Sequence, residues 1–301
     1  MKIFIYLPFI FIFLLSIEIS HSASLERIVQ RGSLKICALA DRLPFSSRSS
    51  NPPGIQIELA RNISKELGVE LEIIWVRYRF HARKAGCDMV MEAVSKKGDE
   101  DKRDIEGARP LTRAGSSDRS GKKSLPPQVS IPIVKVETYL VGFKKNIQNK
   151  TSVENLSEMS IGVMNRSWSH MLLQKNGINY RTKFITESEL VQGVVDKEID
   201  AAFVSSFQYW WYLKNNPDVE LDAIREFDFQ RDVSLNVGIL MRGADSETVD
   251  KINSLLEIML EKDIIQNIYA SYGIICFAKL KFYLYYLFSF FFYLKAHWLK
   301  T

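Results

Sequence analysis

The chain has 301 residues, of which 47% are hydrophobic and 25% are charged. These values are typical of a globular protein with one large or two smaller domains, and they exclude wholesale disorder, a collagen-like fibre and a disulfide-dense miniprotein. The net charge of +5 is concentrated in the last 28 residues, which carry +4, so the rest of the chain is nearly neutral and does not indicate nucleic-acid binding.

The first 22 residues have the pattern of a secretory signal peptide. Lys2 precedes an apolar run over residues 3–15, and small and polar residues follow up to Ser22. The alternative is a short N-terminal membrane anchor, although the apolar run is short for a membrane span. We therefore predict an exported protein whose signal peptide, residues 1–22, is removed.

Residues 34–94 predict a parallel α/β unit. Alternating apolar residues over 34–40 indicate a strand, and apolar residues at a spacing of four over 55–67 indicate an amphipathic helix. Further strands are predicted over 69–76 and 88–94, with only a short crossover between them. The order strand, helix, strand, crossover, strand is typical of a parallel sheet.

Two of the three cysteines, Cys37 and Cys87, lie in short apolar segments of this unit. Export permits a disulfide, which would join them if their strands are neighbours. Two buried free thiols are the alternative. The cysteine spacing shows no zinc-binding pattern.

Residues 95–128 interrupt the pattern. Fifteen of these 34 residues are charged and none is aromatic, so the segment cannot bury enough apolar surface to offset the entropy of ordering it. We predict a flexible insertion here rather than a binding site.

A second α/β run extends from about 138 to 238, and a strand and a long helix follow it. The predicted strands are 138–143, 161–164, 184–185, 200–205 and 234–241, and the predicted helices are 153–159, 168–175, 189–197, 207–214 and 246–272. The two runs predict an α/β protein of two domains with a central cleft and a two-strand hinge. Domain 1 comprises 23–134 and 239–273, and domain 2 comprises 135–238.

The last segment, residues 274–301, contains 11 aromatic residues and four lysines but no acidic residue. One interpretation is a tail that contacts the membrane, with lysines flanking an apolar stretch. The other is a degenerate or frameshifted end of the coding sequence. Both interpretations remain open.

Several segments resemble the family-3 periplasmic solute-binding proteins. They are Leu-Lys-Ile-Cys-Ala at 34–38, Leu-Pro-Phe-Ser at 43–46, Ile-Gly-Val at 161–163 and Asp-Ala-Ala-Phe at 200–203. The resemblance implies a periplasmic protein with the two-domain fold of the type II periplasmic binding proteins. A small solute would then bind in the cleft between the domains.

The two cysteine-containing segments, 36–38 and 85–91, resemble more narrowly the MoxJ/XoxJ type of solute-binding protein associated with quinoprotein methanol dehydrogenases. This resemblance implies a periplasmic accessory protein in methanol or alcohol oxidation, which binds or matures the dehydrogenase while the quinone cofactor stays on that partner. The alternative is the substrate-binding component of an ABC transporter for a small polar solute such as an amino acid, with a permease as partner. The sequence contains no recognisable enzyme motif or metal-ligand cluster, so we predict neither catalysis nor a cofactor.

Five residues are candidates for ligand binding. Asp41 and Phe45 lie in the loop after the first strand, where a Phe ring can stack on a ligand or simply pack. Arg166 and Ser167 lie at a helix start and could bind an anion, although simple helix capping is the alternative. Asp200 begins the apolar strand of the family-like segment.

Overall fold

The computed structural model describes residues 24–77, 81–82, 84–94 and 127–274. The predicted signal peptide lies outside the described residues. So do nearly all of the predicted insertion and of the aromatic tail, of which only residues 127–128 and 274 are described.

Within the described residues the chain alternates helices and strands. The helices are α1 (Leu25–Arg31), α2 (Ile55–Glu66), α3 (Lys144–Ile147), α4 (Trp168–Lys175), α5 (Glu187–Val195), α6 (Ser206–Asn215), α7 (Ser246–Glu261) and α8 (Ile264–Ser271), with a 3-10 turn at Val153–Leu156. The strands are β1 (Ser33–Leu39), β2 (Glu70–Val76), β3 (Met89–Val94), β4 (Gln128–Val129), β5 (Val134–Val136), β6 (Thr138–Gly142), β7 (Ile161–Gly162), β8 (Tyr180–Arg181), β9 (Ala201–Ser205), β10 (Asp222–Ile224) and β11 (Leu235–Met241).

The first sheet has the strand order β2-β1-β3-β11-β4, and β5 also pairs with β11. β1 runs parallel to β2 and β3, whereas β11 runs antiparallel to β3. The alternation predicted for β1 places Leu34 and Ile36 in the main core, where α1, α2, α7 and α8 contribute apolar side chains. Cys37, which follows Ile36, faces the opposite side of the sheet, where a separate small apolar cluster forms.

The second sheet has the order β10-β6-β9-β7-β8. β7 is parallel to both β8 and β9, whereas β6 is antiparallel to β9 and β10. Both faces of the central strand β9 are covered, which explains its continuous apolar sequence. The molecule is therefore a mixed α/β fold built on two sheets.

The chain passes between the two sheets next to a pair of neighbouring strands. β5 pairs antiparallel with β11 through Val136 opposite Leu235, and β5 leads directly into β6 of the second sheet. This arrangement agrees with a two-strand connection. The exact domain boundaries, at 134/135 and 238/239, stay a prediction.

The structure corrects several predicted elements. The strand expected at 184–185 is instead β8, at Tyr180–Arg181, which is an edge strand paired to β7. Its polar sequence lacks the apolar pattern by which a strand is predicted. Phe184 instead packs against α5, close to Gly193. Thr186 caps α5 by accepting a hydrogen bond from the amide of Glu189, so the helix begins two residues before the predicted start at 189.

The helix predicted over 246–272 is divided into α7 and α8 because Asp263 adopts a left-handed backbone conformation, with φ of 59°. Several short elements were not expected from the sequence, among them α1, α3, β4 and β10. Each has at most seven residues, so none develops a clear apolar period.

A disulfide joins Cys37 in β1 to Cys87, just before β3, with a Cα–Cα distance of 5.6 Å. The predicted bridge is thus present. Because β2 and β3 lie on either side of β1, the short segment between them must cross β1. The disulfide attaches the end of this crossover to the strand that it crosses.

Asp88 provides a second attachment beside the bridge. Its side chain accepts hydrogen bonds from the amide of Lys35 at 2.8 Å and from the Arg31 guanidinium, and its own amide donates to the carbonyl of Lys35 at 2.9 Å. Burial raises the pKa of Asp88, although both partners act against that rise. The start of β3 is therefore fixed to β1 independently of the disulfide.

Asp245 caps α7, and its loss is expected to destabilise the fold. Its carboxylate accepts from the amide of Thr248 at 2.9 Å and from the Thr248 hydroxyl at 2.6 Å. Asp245→Ala should lower the free energy of unfolding by about 1 kcal/mol at pH 7, as measured by urea titration. Asp245→Asn keeps an acceptor oxygen and should recover much of the loss.

The same cap gives a pH dependence. The hydrogen bonds from Thr248 lower the pKa of Asp245, so the carboxylate stabilises the fold above its ordinary pKa and loses that contribution as the pH falls through the lowered value. The difference between the wild type and Asp245→Asn should shrink in acid. A constant difference down to acid unfolding would contradict this assignment.

Candidate functional site

A pocket lies at the carboxyl ends of the parallel strands of the first sheet. Its empty space, including the open mouth, is about 360 Å³, but its enclosed part admits only a water-sized molecule. Crevices outside the carboxyl ends of strands are the usual ligand sites of open α/β sheets. The lining residues are Cys37, Leu39, Arg42, Phe45, Ser46, Gln56, Val76, Ala82, Val90 and Glu92.

The loop between β1 and α2 forms one wall of the pocket. The amide of Arg42 donates to the carbonyl of Ser46 at 2.7 Å, and the Ser46 hydroxyl donates to the carbonyl of Leu39 at 2.6 Å. The amide of Gln56 donates to the carbonyl of Phe45 at 2.9 Å. These bonds hold the Phe45 segment against the beginning of α2.

Polar groups converge on this mostly apolar pocket. The Gln56 side-chain amide donates to the Glu92 carboxylate at 3.0 Å, and Arg42 supplies a guanidinium from the adjacent loop. A few polar groups among apolar walls are typical of a site that orients a small polar ligand.

The second sheet contributes a further acid. Glu187 begins α5, and its carboxylate accepts hydrogen bonds from the hydroxyl of Ser205 at 2.5 Å and from the amide of Ser205 at 3.2 Å. Ser205 ends β9, so both residues lie at the carboxyl ends of strands of the second sheet. Burial raises the pKa of Glu187, the Ser205 hydrogen bonds and Arg42 oppose that rise, and Glu92 adds to it. Glu187 therefore interacts electrostatically with two residues that line the pocket of the first sheet.

The first turn of α6 connects these regions. Ser206 donates from its amide to the carbonyl of Glu137 at 2.8 Å, just after β5, while its hydroxyl accepts from the amide of Glu137 at 3.3 Å. The next residue, Phe207, packs its ring against Phe45 with a centroid distance of 6.0 Å. The pocket wall, the second sheet and the connecting strand thus meet at α6.

Of the five predicted site residues, the structure places Phe45 in the pocket wall. Asp41 is exposed in the same loop, where it adopts a left-handed conformation with φ of 52°. Arg166 is also exposed, and its amide donates to His170 Nδ1 at 3.0 Å. Ser167 caps α4 by accepting from the amide of His170.

Asp200 is placed at the other end of its strand. It precedes β9, and its carboxylate accepts from the amide of Ser160 at 2.8 Å, just before the parallel strand β7. This contact joins the amino-terminal ends of two strands, whereas Ser205 lies at the carboxyl end. The ligand-binding roles of Asp41, Phe45, Arg166, Ser167 and Asp200 stay predictions.

Five polar residues of the candidate site were not predicted from the sequence: Arg42, Gln56, Glu92, Glu187 and Ser205. Arg42 adjoins the predicted site residue Asp41, and Ser205 ends a predicted strand. The predicted order of strands was therefore enough to place both residues near the cleft. Glu92 lies within a predicted strand and Glu187 lies at a helix start. Only the tertiary fold brings these two acids near Arg42.

Glu187 is expected to make stability fall as the pH rises. Because its folded-state pKa is raised, the unfolded chain releases the proton first, and stability declines between the ordinary and the raised pKa. Glu187→Gln should flatten this part of the pH profile of the melting temperature. The exposed Glu247→Gln serves as control and should leave the profile unchanged, whereas an unchanged slope in Glu187→Gln would contradict the assignment.

The family model for bacterial extracellular solute-binding proteins, family 3, matches residues 34–274. The chain therefore belongs to this family, and its two-sheet α/β architecture is that of the type II periplasmic binding proteins. The family description agrees with a location outside the cytoplasm. No curated protein sequence matches the chain significantly.

Solved structures share this fold at low sequence identity. An ancestral cationic amino acid solute-binding protein is 22% identical with a TM-score of 0.62, covering 83% of this chain and 99% of its own. An amino acid ABC transporter substrate-binding protein from Streptococcus pneumoniae, bound to L-arginine, is 18% identical with a TM-score of 0.57, covering 82% and 97%. The periplasmic binding protein XoxJ from Methylobacterium extorquens AM1 is 17% identical with a TM-score of 0.59, covering 81% and 99%.

Over residues 24–77, 81–82, 84–94 and 127–274, every helix is too short or too polar to span a membrane. Nor do these ranges contain a group of three or more His, Cys, Asp and Glu side chains placed to hold a metal ion. The membrane contact predicted for the tail falls outside the described residues and stays a prediction.

Proposed function

We propose that the protein is a periplasmic receptor that binds a small polar organic solute between its two sheets and presents it to an ABC transporter permease. The observation that supports this most directly is the convergence of Arg42, Glu92 and Gln56 on one pocket, with Glu187 contributed by the second sheet. A receptor needs such charged groups to replace the hydration of a polar solute.

The narrow pocket supports a binding cycle that depends on hinge movement. The enclosed part of the pocket admits only a water-sized molecule, so a larger solute requires the pocket to widen. Movement of the second sheet away from the Phe45 wall, which Phe207 contacts, would allow that widening. The pair of strands that connects the sheets offers a natural hinge, and the contact between Phe45 and Phe207 would be remade on closure.

Accessory binding to a quinoprotein methanol or alcohol dehydrogenase is the second candidate. The disulfide joins the two segments that carry the resemblance to the MoxJ/XoxJ type, and XoxJ itself shares the fold. A partner surface should present a contiguous apolar patch. The markedly exposed apolar residues among the described ones belong to several different elements, and the pairing of β3 with β11 brings Val94 close to Leu235: they are Val29, Val94, Ile185, Leu235 and Ile258. This distribution favours the receptor.

For both candidates we propose action by binding rather than by catalysis. The neighbours quoted above are named as binding proteins, and the ancestral one among them, AncCDT-1, is also named as a precursor of cyclohexadienyl dehydratase. The pocket residues Arg42, Glu92 and Gln56 also provide the groups needed to orient a charged solute without a nucleophile.

One purification can separate the two candidates. The tagged full-length protein is recovered from the periplasm and analysed by native mass spectrometry and by identification of co-purifying proteins. A retained small molecule, lost in Arg42→Ala and in Glu92→Gln but kept in the exposed control Glu247→Gln, would support the receptor. Recovery of a large quinoprotein dehydrogenase subunit without a small molecule would instead support the accessory role and contradict the receptor.

A further inference from the structure

The disulfide occupies an unusual place for a structural bridge, because Cys37 lines the solute pocket. Cys37 and Cys87 are only 2% and 4% exposed, so neither sulfur lies on the outer surface. They belong to a small apolar cluster with Val76 and Ala82, and three of these four residues, Cys37, Val76 and Ala82, also line the pocket. Among the described residues, the pocket therefore leads from solvent to Cys37. Its enclosed part admits only water, so a dithiol reaches the sulfur after a local widening of the pocket.

The disulfide can be broken without unfolding the sheet, because β3 is also attached to its neighbours by Asp88. Asp88 is bonded to Lys35 and Arg31 of the neighbouring segments, and this attachment does not depend on the sulfur atoms. Cleavage of the bridge would release the end of the crossover while the start of β3 stays attached. Exchange at such a bridge depends on access to its sulfurs, which a local opening can provide.

We propose that the Cys37–Cys87 disulfide is a redox site reached through the solute pocket, so that an occupant of the pocket protects it from reduction by a small dithiol. Only the identification of that occupant as the solute rests on the proposed function. The access route follows from the position of the bridge in the fold.

The redox step consumes one dithiol. A thiolate of the dithiol attacks Cys37 Sγ from the pocket, the Cys37–Cys87 bond breaks, and Cys87 leaves as a thiolate that takes up a proton. The second thiol of the reductant then attacks the mixed disulfide and releases Cys37, which is also protonated. The reductant becomes a cyclic disulfide, and the protein gains two electrons and two protons as two thiols.

The test measures the rate of reduction by dithiothreitol in the native full-length protein. Cys276 is first blocked by alkylation without reductant, and newly formed thiols are then counted by a second alkylating reagent of different mass. Reduction is followed at increasing urea concentrations below the unfolding transition. Access through the pocket predicts a rate that is nearly independent of urea, because little surface is exposed in the opening.

Two pocket variants should change the rate in opposite directions. Phe45→Leu widens the pocket wall and should accelerate reduction several-fold, whereas Leu39→Trp fills the pocket as an occupant would and should slow it several-fold. Phe203→Leu, in the core of the second sheet, is the control and should leave the urea-independent rate unchanged.

The opposite results would overturn the proposal. A rate that rises with urea as steeply as global unfolding would show that the bridge is reached only in the unfolded chain. Acceleration by all three variants in proportion to their loss of stability would lead to the same conclusion. Neither result depends on a solute, so failure here is distinguishable from failure of the receptor function.

Discussion

Gly54→Ala is expected to destabilise the protein by about 3 kcal/mol or more and to displace the pocket wall. Gly54 precedes α2 with φ of 102°, a conformation that other residues rarely adopt. A Cβ atom at this position would lie 2.5 Å from both the carbonyl oxygen of Phe45 and the Cα of Ser46. Both are backbone atoms of the pocket loop, so the clash cannot be relieved by a side-chain rotation.

Gly32→Ala is the matched control. Gly32 also has a positive φ, of 72°, but its added Cβ would meet no atom within 4 Å. This variant should lose only about 1 kcal/mol, the cost of the backbone conformation itself. Urea unfolding of the two variants therefore compares a left-handed glycine in open space with a glycine whose backbone conformation and surroundings both exclude a side chain. Equal losses of unfolding free energy in the two variants would mean that the pocket loop moves easily to accommodate the Cβ atom. Gly54 would then not determine the position of Phe45.

The sequence was sufficient for the framework of the fold because burial imposes a clear period on it. Leu34 and Ile36 enter the same core, and the apolar residues of α2 recur at the predicted spacing. The same rule fails where an element is short or lies at an edge. β8 has only two residues, Tyr180 and Arg181, and its pairing with β7 depends on a partner 19 positions away in the chain.

The site was less accessible to prediction than the fold. Phe45 was identified because the loop after the first strand of such a sheet borders the cleft. The interaction of Glu187 with Arg42 and Glu92 could not be derived in this way, because it depends on how the two sheets face each other. Asp200 illustrates the converse. The Asp-Ala-Ala-Phe segment at 200–203 suggested a ligand-binding residue. The strand direction instead places Asp200 at the amino-terminal end of β9, whereas Ser205 lies at the carboxyl end.

Removal of the disulfide, by the double substitution Cys37→Ala and Cys87→Ala, is expected to lower the free energy of unfolding by about 4 kcal/mol. The two cysteines are 50 positions apart, so the bridge closes a long loop and restricts the unfolded chain strongly. A loss of this size is a large fraction of the total stability of a typical domain. It should appear as a lower urea midpoint.

A reductant distinguishes loss of the bridge from loss of packing. Once the wild type is fully reduced with dithiothreitol, its stability should fall close to that of the double variant, because the substituted atoms are then almost the only difference. A reduced wild type that stays about as stable as the oxidised one would contradict the cross-link argument.

Asp88→Asn in the oxidised protein tests the second attachment of β3. If the bridge and Asp88 fix β3 independently, the losses from the two changes should add when they are combined, whereas a combined loss well below the sum would mean that they act as one unit.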